Sequence, residues 1–143
     1  MENREAGLQV LYNRIKDARI ELDIKTFRRT PSVPVEHDDL LCVFMTEGID
    51  RIVKPHSRDW LGYPARREVE IILEMISVDT YDIRAFYTRF RRVALSSAKL
   101  SDDCIVREVR AVGPSGYHAP NVIGIQLVCA MTYTDKGNIL QED

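Results

Sequence analysis

The chain holds three cysteines and three histidines, the residues that nucleophilic or metal chemistry would recruit first. Cys42, Cys104 and Cys129 each sit in or beside an apolar run. A reactive thiolate needs an electropositive, partly exposed setting, so these three read as core thiols. His37, His56 and His118 stand apart, without the paired spacings of a zinc site, and His37 beside Asp38 and Asp39 reads as a solvated cluster. Gly113-Pro114-Ser115-Gly116 lies between two strand-like runs and lacks a following Lys-Ser/Thr, which makes it a turn rather than a phosphate cradle. No catalytic residue, metal ligand or cofactor site is expected from these residues.

The charged residues are more informative. Glu68, Glu70 and Glu74 alternate with apolar residues and share one strand face. Paired carboxylates could do acid–base work, and a solvated face is the plainer reading, but three like charges also suit a basic partner. Segment 50–67 holds Arg51, Lys54, Arg58, Arg66 and Arg67 against Asp50 and Asp59, with the single tryptophan, Trp60, and Tyr63. Read as a loop, it exceeds the ~12–15 residues usual in compact domains, and such loops are functional or disordered. Trp, Tyr and Arg together are interface anchors. The competing reading folds Trp60 and Leu61 back as a lid on the core. A third set, Arg84, Arg91 and Arg92, groups around Thr88 on one side of a helix.

The elements that carry these residues follow from periodicity. Leu8, Leu11, Tyr12, Ile15, Ala18 and Leu22 form one stripe of a helix over 8–22. A connector with Pro31 and Pro34 follows, then the short apolar run Leu40-Leu41-Cys42-Val43-Phe44-Met45, closed by Glu47-Gly48 and read as a strand buried on both faces. Val69, Ile71, Leu73 and Met75 alternate with Glu68, Glu70, Ile72 and Glu74, the period of a strand with one wet face. Asp79-Thr80 offers cap chemistry for a second helix, whose stripe is Ile83, Phe86, Tyr87, Phe90, Val93 and Ala94. Strand-like runs over 104–112 and 122–133 flank the Gly-Pro turn. The expected fold is α+β: a single mixed, largely antiparallel sheet with two main helices packed on one face.

A chain of 143 residues fits one domain, here 1–143 with a polar, flexible stretch at 135–143. Its 45% hydrophobic and 29% charged content excludes disordered and collagen-like classes, and a net charge of -2 excludes a dedicated polybasic nucleic-acid binder. Charges interleaved through the first twenty residues break up any signal-peptide core, and no run is long enough to span a membrane. An odd, scattered set of cysteines fits synthesis in a reducing cytoplasm.

The amphipathic opening helix, the apolar strand 40–45 ending in Glu47-Gly48, the strand 68–76 followed by an aromatic helix, and the closing strand 122–133 together resemble the tail terminator proteins of long-tailed bacteriophages and prophages. The likeness covers about residues 8–134 and is one of element order, size and hydrophobic texture. It implies a non-enzymatic minor tail protein that forms a ring at the end of the tail tube. That ring stops tube polymerisation and offers its far face to the head. The partners it implies are five further copies of the chain in a hexamer, the tail tube protein and a head-completion or neck protein. DNA would be met only as it passes through the ring. The implied location is the virion tail, assembled in the bacterial cytoplasm.

On the residues alone, unlike patches on one molecule can associate head to tail and close into a ring. The alternative is a single-strand nucleic-acid binder that stacks bases on Trp60, Tyr63 and Tyr87 and grips phosphate with the arginines. It is opposed by the net charge and by the helix-facing direction of Tyr87. Other neck or tail-completion proteins share the same element order.

Overall fold

A computed structural model describes residues 3–31, 41–54, 65–78, 82–117 and 119–135. The elements in chain order are α1 (Asn3–Asp17), β1 (Thr26–Arg28), β2 (Leu41–Lys54), β3 (Ala65–Val78), α2 (Ile83–Ala94), β4 (Lys99–Ser101), β5 (Cys104–Tyr117) and β6 (Ala119–Asp135). The strands form one sheet in the order β1-β2-β3-β6-β5-β4, antiparallel throughout except for the parallel β1–β2 pair. β3 and β6 pair without interruption from Ala65↔Asp135 to Val78↔Val122 and form its centre.

The alternation in β3 divides the molecule into two sides. Val69, Ile71, Leu73 and Met75 are fully buried, whereas Glu68, Glu70 and Glu74 are half-buried on the opposite face. Both helices cover the apolar side. α1 contributes Leu8, Leu11 and Ile15, and α2 contributes Ile83, Phe86, Phe90 and Ala94, all buried. They pack on aliphatic residues of β2, β3, β5 and β6 in one continuous core. The expected α+β arrangement is therefore the one formed. The run 41–45 is buried on both faces, because Cys42 and Phe44 join Ile76 and Val122 in a second, smaller cluster on the far side.

Four local expectations are corrected. α1 ends at Asp17 instead of running to Leu22, and Leu22 and Ile24 reach the core from the turn that follows. That turn is closed by Leu22 N donating to Ala18 O and Ile24 N to Arg19 O, with Asp23 at φ 59°, a left-handed conformation that Asp tolerates. The α2 cap is Asp82, whose carboxylate accepts from Ala85 N at 3.1 Å. Asp79-Thr80, where the cap was expected, lies outside the described residues.

The other two corrections concern glycine. β2 does not stop at Glu47-Gly48 but runs on to Lys54, with a bulge between Glu47 and Asp50. A Cβ at Gly48 would come 2.4 Å from Glu70 Oε1, the far end of a half-buried side chain that would have to turn aside. Likewise Gly113-Pro114-Ser115-Gly116 lies inside β5 as a register shift, with a cis Gly113–Pro114 peptide, and the reversal falls beyond it, where Tyr117 pairs with Ala119. Segment 50–67 is therefore not one loop. Its two ends are paired strand, with Ile52 opposite Arg67 and Lys54 opposite Arg66.

Candidate functional site

Extending β2 and β3 changes what the charged residues can do, because strand pairing brings each beside a specific partner. Arg67 donates from Nε to Asp50 Oδ1 at 3.0 Å, and Arg4 of α1 donates from Nη1 to Asp50 Oδ2 at 2.8 Å. The Tyr133 hydroxyl donates to the same carboxylate. Burial, reinforced by that hydrogen bond, pushes the Tyr133 phenol up to about 12. Beside it, Arg29 bridges Glu5 and Glu47, and its hydrogen bond holds the Glu5 carboxyl below the ordinary carboxylate range although burial works the other way. Together these groups fasten the start of α1 to one end of the sheet.

Arg66 serves a second clasp. It donates to Asp103 Oδ1 at 3.1 Å and to Thr134 Oγ1 at 3.0 Å, while Asn3 Nδ2 and Thr134 N donate to the same aspartate. On the sheet face that the helices leave uncovered, Glu68 accepts from Arg51 at 3.2 Å and from Arg107 at 2.9 Å. Burial alone would raise the Glu68 carboxyl, but these two hydrogen bonds prevail and lower it. The pairs border an open depression of about 210 Å³ that Ile49, Glu70, Val109 and Arg110 also line. On α2, Arg91 donates from Nε to Glu108 Oε2 at 2.6 Å, and the Tyr87 hydroxyl donates to Glu108 Oε1 at 2.8 Å. Tyr87, half-buried and bonded at its tip, is not presented as a stacking platform.

The candidate set thus divides. Arg51, Arg66, Arg67, Glu68 and Arg91 form ion pairs within the chain. Arg84 and Arg92, exposed on α2, and Glu70 and Glu74, on the uncovered sheet face, form none among the described residues. These two pairs of charges lie on opposite sides of the sheet and do not converge on one site. Lys54 closes β2, and Arg58, Trp60 and Tyr63 lie outside the described residues.

Two features were not singled out from the sequence. Arg89 is a further exposed arginine on α2, between two positions of the basic set. Exposed aliphatics also line the sheet margins, among them Ile49, Ile52 and Val53 on β2 and Val109 and Val112 on β5. For β2 the signal was the continuation of aliphatic residues at Ile49, Ile52 and Val53 beyond the expected strand end at Glu47-Gly48, and Val109 and Val112 lay in a run already expected to be strand.

Cys42, Cys104 and Cys129 are buried thiols, and none is joined in a disulfide among the described residues. Burial, with the nearby Glu108 charge adding to it, pushes the Cys129 thiol up to about 12, the reverse of what an attacking thiolate needs. Among the described residues no group of three His, Cys, Asp or Glu side chains could hold a metal ion.

No family model matches the chain, and no curated protein matches its sequence. Among solved structures, it is similar in fold to a chain in the virion of a native gene transfer agent (GTA) particle, with a TM-score of 0.52 and 12% sequence identity. The superposition takes in 87% of this chain and 92% of the other, so the likeness extends over nearly the whole of both folds.

Proposed function

We propose that this chain is a structural, non-enzymatic subunit of a phage-like virion, and within it a tail terminator. In this reading 1–143 acts as one domain. Six copies close into a ring at the end of the tail tube, stop its growth and present the opposite surface to a head-completion or neck protein. DNA contacts the ring only in transit, and assembly takes place in the bacterial cytoplasm before the ring becomes part of the virion tail.

The observation that carries this reading is the fold shared, nearly end to end, with a chain of the gene transfer agent virion. The distribution of charge supports it. Arg84 and Arg92 on one side and Glu70 and Glu74 on the other, all without an ion pair among the described residues, make the two sides unlike, and unlike sides favour head-to-tail contacts that close into rings. Several of the arginines instead stabilise the subunit itself, which gives a tail part a rigid body to assemble from. Arg58, Trp60 and Tyr63 remain proposed contacts with a neighbouring copy or with the tube.

The experiment is assembly of purified tube protein with and without this chain, with tube lengths measured by electron microscopy. A terminator shortens the length distribution and leaves tubes that no longer elongate on addition of fresh tube protein. Tubes that grow identically in its presence contradict the terminator role, and binding to heads alone assigns the chain to the neck instead.

A further inference from the structure

Among the described residues each margin of the sheet is covered over only part of its length, and the covered parts lie at opposite ends. On the β2 margin, β1 pairs with Cys42, Val43 and Phe44, and no described strand lies beside residues 46–54. On the β5 margin, β4 pairs with Cys104 and Ile105, Val106 N donates to Ala98 O, and no described strand lies beside residues 107–116. The register across the sheet fixes their relative heights. Phe44 is level with Glu74, Gln126 and Val112, and Asp50 is level with Val69, Met131 and Val106. β1 therefore covers one margin at the height where the other is open, and β4 does the converse.

The open halves also carry most of the exposed aliphatics of β2 and β5, Ile105 beside β4 being the exception. Ile49 is 71% exposed, Ile52 47% and Val53 46% on β2, against 43% for Val109 and 50% for Val112 on β5. Long open strand margins with apolar side chains are templates for another strand. Bulges at Glu47/Asp50 and Glu108/Arg110, and the charges of Arg51, Arg107 and Arg110, discourage pairing with an arbitrary strand, so the occupant has to be one that fits.

We infer that the occupant is a second copy of this chain: residues 46–54 of β2 in one copy lie along residues 107–116 of β5 in the next, and one sheet runs from subunit to subunit. The inference rests on the ring reading and names its interface. The strand directions suit it, because β2 and β5 run oppositely within the sheet and copies in the same orientation meet there as an antiparallel pair. Clearing both β1 and β4 requires a displacement along the strands of about four to five residues, ~15 Å at ~3.4 Å per residue. Four full-length strands at ~4.8 Å apart span ~19 Å. That step corresponds to an inclination of roughly 40°, within the ~35–45° at which sheets close on themselves. The two contacting margins differ, so the contact is heterologous and repeats from copy to copy.

The test uses two double variants of the full chain, Ile49→Lys with Ile52→Lys, and Val109→Lys with Val112→Lys, at exposed positions where the subunit's own fold is little affected. Circular dichroism and thermal unfolding check that each folds as the parent does. Light scattering is then read for the parent, each variant alone and an equimolar mixture. The inference expects an assembled parent, monomeric variants, and a mixture that stops at a one-to-one dimer, because only one intact β5 margin and one intact β2 margin remain to meet. Folded variants that assemble like the parent overturn the inference and leave the ring reading standing. A mixture that stays monomeric overturns the pairing of these two margins. Variants that assemble normally but lose binding to tail tubes give the margins to a tube subunit instead. A parent that is monomeric at every concentration overturns the ring reading itself.

Discussion

Gly7 sits in the interior of α1 where the helix comes closest to the sheet, and replacing it by alanine tests how tightly the two layers are packed. A Cβ at this position would lie 2.7 Å from Met131 Sδ, 2.8 Å from Cys104 Sγ and 2.9 Å from Cys104 Cβ. Met131 and Cys104 are both fully buried, so neither side chain can swing out to solvent. Cys104 Cβ is moreover fixed to the backbone of β5, which leaves displacement of α1 as the main response. Overpacking of this kind costs ~1–3 kcal/mol. Alanine returns part of that, because Gly→Ala in a helix interior is favourable by ~0.8–1.0 kcal/mol. With three contacts under 3.0 Å the upper part of the overpacking range applies, so the net expectation is a loss of roughly 1–2 kcal/mol, and a domain near this size loses ~2–4 °C in Tm for each kcal/mol. The assay is chemical denaturation followed by circular dichroism, at a protein concentration low enough to keep the subunit dissociated. Gly116→Ala serves as the control. Its Cβ would meet nothing within 4 Å, so it should change stability little or raise it slightly. A Gly7→Ala chain as stable as the parent would refute the close approach of α1 to β5 and β6.

Phe90→Ala removes a fully buried ring that packs 5.7 Å from Phe86 between centroids and should cost about 3–5 kcal/mol in the same denaturation assay. Asp50→Ala leaves the buried Tyr133 hydroxyl without its acceptor and frees Arg4 and Arg67. It should cost ~1–3 kcal/mol, with a loss of amide protection at the start of α1 as the local signature. The acid limb of stability is set in part by Glu5 and Glu68, whose carboxyls are lowered in the folded chain. Their contribution is complete above the ordinary carboxylate range and is lost as pH falls through the lowered values. The Glu5→Gln and Glu68→Gln chains should therefore lose less stability than the parent between pH 5 and 3, and equal acid sensitivity in all three would contradict the assignment.

Much of the fold was legible because burial writes a period into sequence. The strict alternation of Val69, Ile71, Leu73 and Met75 with glutamates and Ile72 gave both the strand and its wet face, and the Phe86–Phe90 spacing gave the buried stripe of α2. Lengths were less legible. Gly48 and Gly113 occupy bulges inside strands, and a glycine that ends a strand cannot be told in sequence from one that kinks it.

The partners of the charged set were hidden for a related reason. Arg67 and Glu68 are adjacent in sequence but point to opposite sides of β3, one to Asp50 under α1 and the other to Arg51 and Arg107 on the uncovered face. A patch inferred from composition along 50–67 thus dissolves into separate pairs once that segment is strand. The partners Asp103 and Glu108 lie far along the chain, and only the order of strands in the sheet brings them within reach. What the sequence did hold, unread, was the continuation of aliphatic residues through Ile49, Ile52 and Val53, which now mark the sheet margin.

The central claim is that this chain is a ring-forming subunit at the end of a virion tail tube. Its most direct test is electron microscopy of the purified chain, alone and mixed with tail tubes, with two-dimensional averaging of the particles. A terminator gives closed rings of one size with six-fold averages, and in the mixture those rings sit on one end of each tube. Particles of monomer size alone, or a protein that decorates tubes along their sides and leaves the ends bare, would contradict it.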